Sequence, residues 1–212
     1  GYNENFSVRP DILETLDVKD NRVFTLSLRK GHKWSDGHPF TTADFRYYWE
    51  DVAHNEALSP FGINATLLVD NKPPKFEVID DVTVRYSWDK PNPYFLSALA
   101  GTRPLYIYAP AHFLSKFHEK YAERELLDKK AQARGQRNWA ALHNRMNSPY
   151  KNQIPNVPTL QPWINTTKGP AQQFVFVRNP YFHRVDEKGQ QLPYIDRIRM
   201  HIVDKKLIPA KT

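Results

Sequence analysis

A mixed α+β fold is what the residue pattern predicts, and three stretches carry that expectation. Phe24, Leu26 and Leu28 alternate with Thr25, Ser27 and Arg29, the period of a strand with one buried face. Further on, Phe45, Tyr48, Trp49 and Val52 recur at helical spacing. Residues 76–88 return to alternation on either side of Asp80-Asp81. Strands and helices thus interleave along 212 residues, a length suited to one large domain or two small ones.

Between the first strand and the first helix the residues are those of turns. Lys30-Gly31 and Ser35-Asp36-Gly37 combine glycine, free to take positive φ, with Ser and Asp that fold back onto nearby amides. Thr41 then stands three residues before Asp44, a capping box with Asp in place of Glu. The hydroxyl accepts from a free amide of the first turn, and the carboxylate suits the positive helix end. Trp34, Asp36, Gly37, Thr41 and Asp44 are read as a packed, hydrogen-bonded frame and not as a catalytic set.

Residues 55–70 read as loop or short helix, with Ser59-Pro60-Phe61-Gly62 inside. In the hairpin that follows, Phe76 and Val78 precede the turn, and Val82, Val84, Tyr86 and Trp88 alternate after it. Pro91-Asn92-Pro93 breaks the strand. An apolar helix over 94–100 then leads to Gly101, placed for a left-handed C-terminal cap. Residues 105–108 read as a short strand. Residues 117–147 read as two helices parted near Gly135, with Phe117, Tyr121, Leu126 and Leu127, then Trp139, Leu142 and Met146, as their apolar faces. Pro149, Pro155, Pro158, Pro162 and Pro170 mark an extended crossing, with Trp163 inside it. Two strands close the chain, over 174–177 and where Ile198, Met200 and Ile202 alternate with Arg199 and His201.

Composition narrows the function classes. Charged residues at 25% and hydrophobic ones at 40% are those of a globular domain. Seventeen prolines against eight glycines imply ordered, stiff connections. The net charge of +7 is spread among acidic residues along the chain, which argues against nucleic-acid binding. There is no cysteine, hence no disulfide and no thiolate chemistry. Hydrolase, metalloprotease and phosphate-loop motifs are absent. His32 and His38 flank Asp36, but at no ordinary zinc spacing, so no metal and no cofactor are expected. Asp80-Asp81 fall in a turn and Glu50-Asp51 on a helix, where neighbours do not face one another. Both pairs are read as solvated.

LRKGHKWSDGHPFTTADF, from Leu28 to Phe45, resembles the signature of the family 5 extracellular solute-binding proteins, the oligopeptide- and dipeptide-binding receptors of ABC importers. A second block resembles a motif of one branch of that family: Arg178-Asn179-Pro180-Tyr181-Phe182, Val185-Asp186, Gly189 and Leu192-Pro193-Tyr194-Ile195-Asp196. Phe182 replaces the usual Tyr, and His183 the usual Trp.

The resemblance implies a small subdomain plus part of the large lobe of a two-lobed periplasmic binding protein (type II, cluster C-like). Residues 1–44 would belong to the large lobe, 45–157 to the small subdomain and 158–212 to the return, with the rest of the lobes outside this chain. It implies a non-enzymatic, monomeric receptor that is periplasmic or lipid-anchored outside the cell. Such a receptor takes an oligopeptide, or else an oligosaccharide, to a membrane permease. Phe61 and Trp163 are the candidate ligand contacts, with simple packing as the preferred reading of Phe61. Arg178, Asn179 and Pro180 join the structural motif. A polymer hydrolase is the reading from another class, and it would need a carboxylate pair around a cleft.

Overall fold

The computed structural model describes residues 1–101, 104–148 and 154–204. They form two compact bodies, each described by itself. The first holds Gly1–His32 and Phe40–His143, and the second holds Lys33–Pro39 and the described residues from Asn144 on. Strands from either side of residue 44 share one sheet.

In the first body, β1 (Leu13–Lys19) and β2 (Val23–Leu28) pair antiparallel. Asp20 and Asn21 turn the chain between them at φ 53° and 50°. That positive-φ pair was a hairpin signal which the scattered apolar residues of this stretch obscured. β3 (Lys75–Val78) and β4 (Thr83–Ser87) make the expected hairpin, and β4 lies against β2 to give the order β1-β2-β4-β3. The register Phe24↔Tyr86 and Leu26↔Val84 sets four buried side chains on one face. Phe95 closes over them, 5.0 Å from the Phe24 ring and 5.3 Å from Tyr86.

α1 (Thr42–Arg46) starts with the expected capping box. Thr41 Oγ1 accepts from Ala43 N (3.3 Å), and Asp44 Oδ2 accepts from Thr41 N (3.1 Å). Asp44 does more than cap. Its Oδ1 accepts from Ala111 N (3.0 Å), and its carbonyl accepts from Ala109 N (3.1 Å). Thr42, which looks like a small variation in the motif, ties α1 to the hairpin turn through Oγ1 to Asp80 O (2.8 Å) and N to Asp81 O (3.1 Å).

The helix runs on as a π-helix over Tyr47–Ala53. Its wider turn overrides the 3.6-residue period expected there. Tyr47, Asp51, Val52 and Ala53 are buried, while Tyr48 and Trp49 are half-buried. Burial raises the Tyr47 phenol well above its ordinary range. The solvated reading of Glu50-Asp51 holds for Glu50 alone. Asp51 is 6% exposed and accepts from Lys120 Nζ (2.6 Å) and the Tyr121 hydroxyl. Its carbonyl is 3.0 Å from His118 Nε2, and His118 Nδ1 accepts from Lys120 N (3.1 Å). With an amide donating to Nδ1, the ring carries its proton on Nε2.

α2 (Phe95–Ala100) ends without the left-handed glycine cap, since Gly101 is extended at φ −68°, ψ 173°. Leu105 N instead donates to Ala98 O (2.8 Å), so one end-of-helix carbonyl is satisfied from outside. The strand expected over 105–108 is absent. That segment makes no ladder, and its Tyr108 ring packs on Phe40 (5.1 Å) and Phe45 (5.4 Å). α3 (Ala111–Leu114), α4 (Arg124–Gln132) and α5 (Trp139–Met146) follow, and the break between the last two falls around Gly135 as expected.

In the second body, β5 (Trp163–Asn165), β6 (Gln173–Arg178) and β7 (Arg197–His201) form an antiparallel sheet in that order. Trp163 therefore opens a strand inside the stretch expected to be only an extended crossing. Pro149, the first proline of that stretch, lies outside the described residues. Between β6 and β7, Asp186 organises a tight loop. Its Oδ1 accepts from Lys188 N (2.9 Å) and Gln190 N (2.8 Å), and its Oδ2 from the Tyr194 hydroxyl (2.7 Å). The Tyr194 hydroxyl, then the Gln190 amide, hold this carboxyl below the ordinary Asp range.

Two outcomes follow. Thr41→Ala should cost about 1 kcal/mol, as lost N-caps do. Asp44→Ala should cost more, roughly 2–3 kcal/mol, because it also strips Ala111 N of its partner. Urea midpoints at constant m-value check this, and equal losses would contradict the second role of Asp44. For Asp186, a folded pKa below the unfolded one means that the loop's stabilisation is present above the ordinary value of about 3.9. It is lost as pH falls through the depressed folded value. The Lys188 and Gln190 amide resonances should hold down to about pH 4 and move only below it. A midpoint at or above the ordinary value would contradict the arrangement.

Candidate functional site

The first motif loop belongs to the second body, where Lys33 and Pro39 bridge antiparallel. Trp34 N donates to His38 O (2.8 Å) and Gly37 N to Trp34 O (2.9 Å), while Asp36 Oδ1 accepts from His38 N (3.1 Å). Asp36 is thus an acceptor for its own turn. Trp34 is buried. Gly37 sits at φ +86°, and a Cβ there would come within 3.1 Å of the Tyr181 hydroxyl oxygen and 3.3 Å of its ring. Glycine is needed twice over, for the backbone and for the tyrosine. Lys33 Nζ lies 5.3 Å from the centroid of the same ring.

Tyr181 belongs to the second motif, so the structure brings the two motifs together. Asn179 joins the second motif to the segment before β5. It is fully buried; its Nδ2 donates to Gln161 O (2.9 Å), its N to Pro162 O (2.8 Å), and its Oδ1 accepts from Tyr181 N (2.9 Å). From the first motif, Ser35 N donates to Thr159 O (3.0 Å) and Ser35 Oγ accepts from Thr159 N (3.0 Å). Arg178 pairs with Asp196, Nη2 to Oδ1 at 3.2 Å, and Arg178 N donates to Asp196 O (2.9 Å). Pro180 is exposed, and its carbonyl accepts from Gln191 Nε2 (2.8 Å). Sequence reading found the motifs but not Ser35 with Thr159, whose bond spans 124 residues and leaves no local signal.

The candidate ligand contacts stand on different bodies. Trp163 is half-buried, and its Nε1 donates to Ile195 O (3.1 Å), which leaves the indole partly open. Phe61 is on the first body and is not packed: it is 100% exposed. Its loop is nonetheless built. Asn55 Oδ1 accepts from Ala57 N (3.0 Å) and Leu58 N (3.2 Å), Ser59 Oγ donates to Val52 O (2.8 Å), and Gly62 N to Ser59 O (2.9 Å). An ordered turn that presents a bare aromatic ring suits contact with something outside the body. Among the described residues no cluster of His, Asp or Glu is placed to hold a metal, and no helix is long and apolar enough to cross a membrane.

Comparison with known proteins agrees with this architecture. Residues 7–208 match the family described as bacterial extracellular solute-binding proteins, family 5 Middle. The periplasmic alpha-galactoside-binding protein of Rhizobium meliloti (strain 1021) is 29% identical over 192 residues, 89% of this chain and 25% of that protein. Among solved structures, an oligopeptide-binding protein OppA superposes with a TM-score of 0.81 at 35% identity, over 95% of this chain and 31% of its own. The periplasmic binding protein MelB from Agrobacterium fabrum C58, in complex with stachyose, gives 0.69 at 27% identity, over 92% of this chain and 26% of its own. This chain therefore spans between a quarter and a third of each of these proteins. The solved neighbours are two-lobed periplasmic binding proteins of mixed helices and sheets. By the match that runs through both motifs, and by the shared fold, the chain belongs to the family 5 bacterial extracellular solute-binding proteins.

Proposed function

We propose that the protein containing this chain is the substrate-binding component of an ABC importer. It captures an oligopeptide in the periplasm and, as a monomer, delivers it to a membrane permease. The observation that carries the peptide reading is the likeness to the oligopeptide-binding protein OppA, at a TM-score of 0.81 over 95% of the chain. On this reading Phe61 and Trp163 supply apolar contact to the ligand, and backbone groups supply the polar contacts. That division is usual in ligand pockets, where a few placed polar groups orient an otherwise apolar fit.

A second reading is an oligosaccharide ligand. It is favoured by the alpha-galactoside-binding relative, which aligns with 89% of this chain, and by the stachyose complex of MelB. Aromatic rings serve either ligand, so Phe61 and Trp163 do not separate the two.

Native mass spectrometry of the full-length protein, purified from its own host without refolding, tests the reading. Bound masses that fragment to amino acids are the expected result. A hexose series would move the protein to the sugar reading, and turnover of a polymer would overturn the transport role. Alanine at Phe61 or Trp163 should weaken binding of the identified ligand by about tenfold or more, the order expected for an aromatic anchor.

A further inference from the structure

We infer that Asn179 is a positioning residue for Trp163, and that the two motifs act together to fix that indole for ligand. The inference rests on the proposed role of Trp163 as a ligand contact.

The residues just before β5 have no strand ladder, yet Leu160 among them is only 7% exposed. Two residues from distant parts of the chain serve this backbone, each with its side chain and its amide. Ser35 takes both the N–H and the carbonyl of Thr159 at 3.0 Å. Asn179 takes the carbonyls of Gln161 (2.9 Å) and Pro162 (2.8 Å), the last two before Trp163. The Asn179 side chain is closed to solvent. It is 0% exposed, with Nδ2 committed to Gln161 and Oδ1 to Tyr181 N.

The other end of Trp163 is held by the same motif block. Its Nε1 donates to Ile195 O (3.1 Å), and its strand partner is Arg178, the residue before Asn179. Arg178 is in turn tied to Asp196 by backbone and side chain. The backbone of Trp163 is thus set by Asn179, and its indole N–H by the residue next to Asp196. A half-exposed ring held at both ends is preorganised, and the cost of ordering it is met in folding and not in binding.

Two variants separate positioning from bulk stability. Asn179→Asp keeps the shape and the acceptor for Tyr181 N but removes the donor to Gln161 O. Ser35→Ala removes the acceptor for Thr159 N, and Ser35→Thr restores a hydroxyl. The full-length protein is labelled with 5-fluorotryptophan, and the Trp163 resonance is assigned by its loss in Trp163→Phe. Binding is read with pentaalanine and with stachyose.

In Asn179→Asp and Ser35→Ala the Trp163 resonance should shift or broaden while the other tryptophan resonances stay, that of Trp34 beside the substituted Ser35 excepted. Affinity for the probe that binds should fall by about tenfold, as for other supporting contacts behind a binding residue. Ser35→Thr should return both readouts toward wild type. An unmoved Trp163 resonance in both variants overturns the positioning claim whichever probe binds. Unchanged affinity alongside a moved resonance overturns its relevance to ligand. If Trp163→Ala itself leaves both probes unaffected, the ligand-contact reading fails, and the resonance still decides whether Asn179 sets the ring.

Discussion

A buried backbone N–H or carbonyl must find a partner, and a chain that leaves regular structure loses the partners that ladders supply. This protein leaves regular structure often, with seventeen prolines and short strands. The connections stay in place because a few side chains stand in for the missing ladder. Asp44 accepts from two amides 70 residues apart, Thr41 N and Ala111 N. Asn92, 3% exposed, donates to Thr66 O and accepts from Tyr94 N. Asn179 does the same between the second motif and the segment before β5, and Asp186 closes an exposed loop of its own. Each is a short side chain with fixed reach, so each sets a position as well as a bond.

That constraint explains what the motif residues do. Their hydrogen bonds go to backbone groups of the fold. Asp36, Asp44 and Asn179 are acceptors and donors for backbone, and Gly37 is the space that Tyr181 fills. Groups of this kind make a rigid scaffold on which a small number of open aromatic rings can be placed. The two rings proposed for ligand contact both stand on such frames: Phe61 on a turn built by Asn55 and Ser59, Trp163 on the segment held by Ser35 and Asn179. The proposed binding role thus rests on geometry fixed in folding, in keeping with a family of solute-binding proteins.

Much of the fold was legible because local codes were consistent. The buried alternation of Phe24, Leu26 and Leu28, the Thr41 capping box and the hairpin around Asp80-Asp81 all stand in the structure. The misreadings have specific causes. The π-helix changed the period after Arg46, so Tyr47 and Asp51 turned inward where Tyr48 and a solvated Asp51 were expected. Gly101 was read as a cap because glycine often is one, but it is extended, and Leu105 N satisfies one carbonyl at that end instead. Trp163 sat among prolines, which hid a strand only three residues long. The motif clamp was invisible for a simpler reason: its bonds join residues that only the folded chain makes neighbours.

Amide hydrogen exchange on the folded protein shows whether these side chains hold the connections. The amides of Ala111, Thr159 and Tyr181 lie outside strands but donate to Asp44, Ser35 and Asn179. If these side chains replace ladder partners, the three amides should exchange within about tenfold of the β2 amides, since protection follows the free energy of opening. Exchange as fast as that of an exposed turn would mean that the side-chain bonds do not hold the buried connections, and the account built on them would fail.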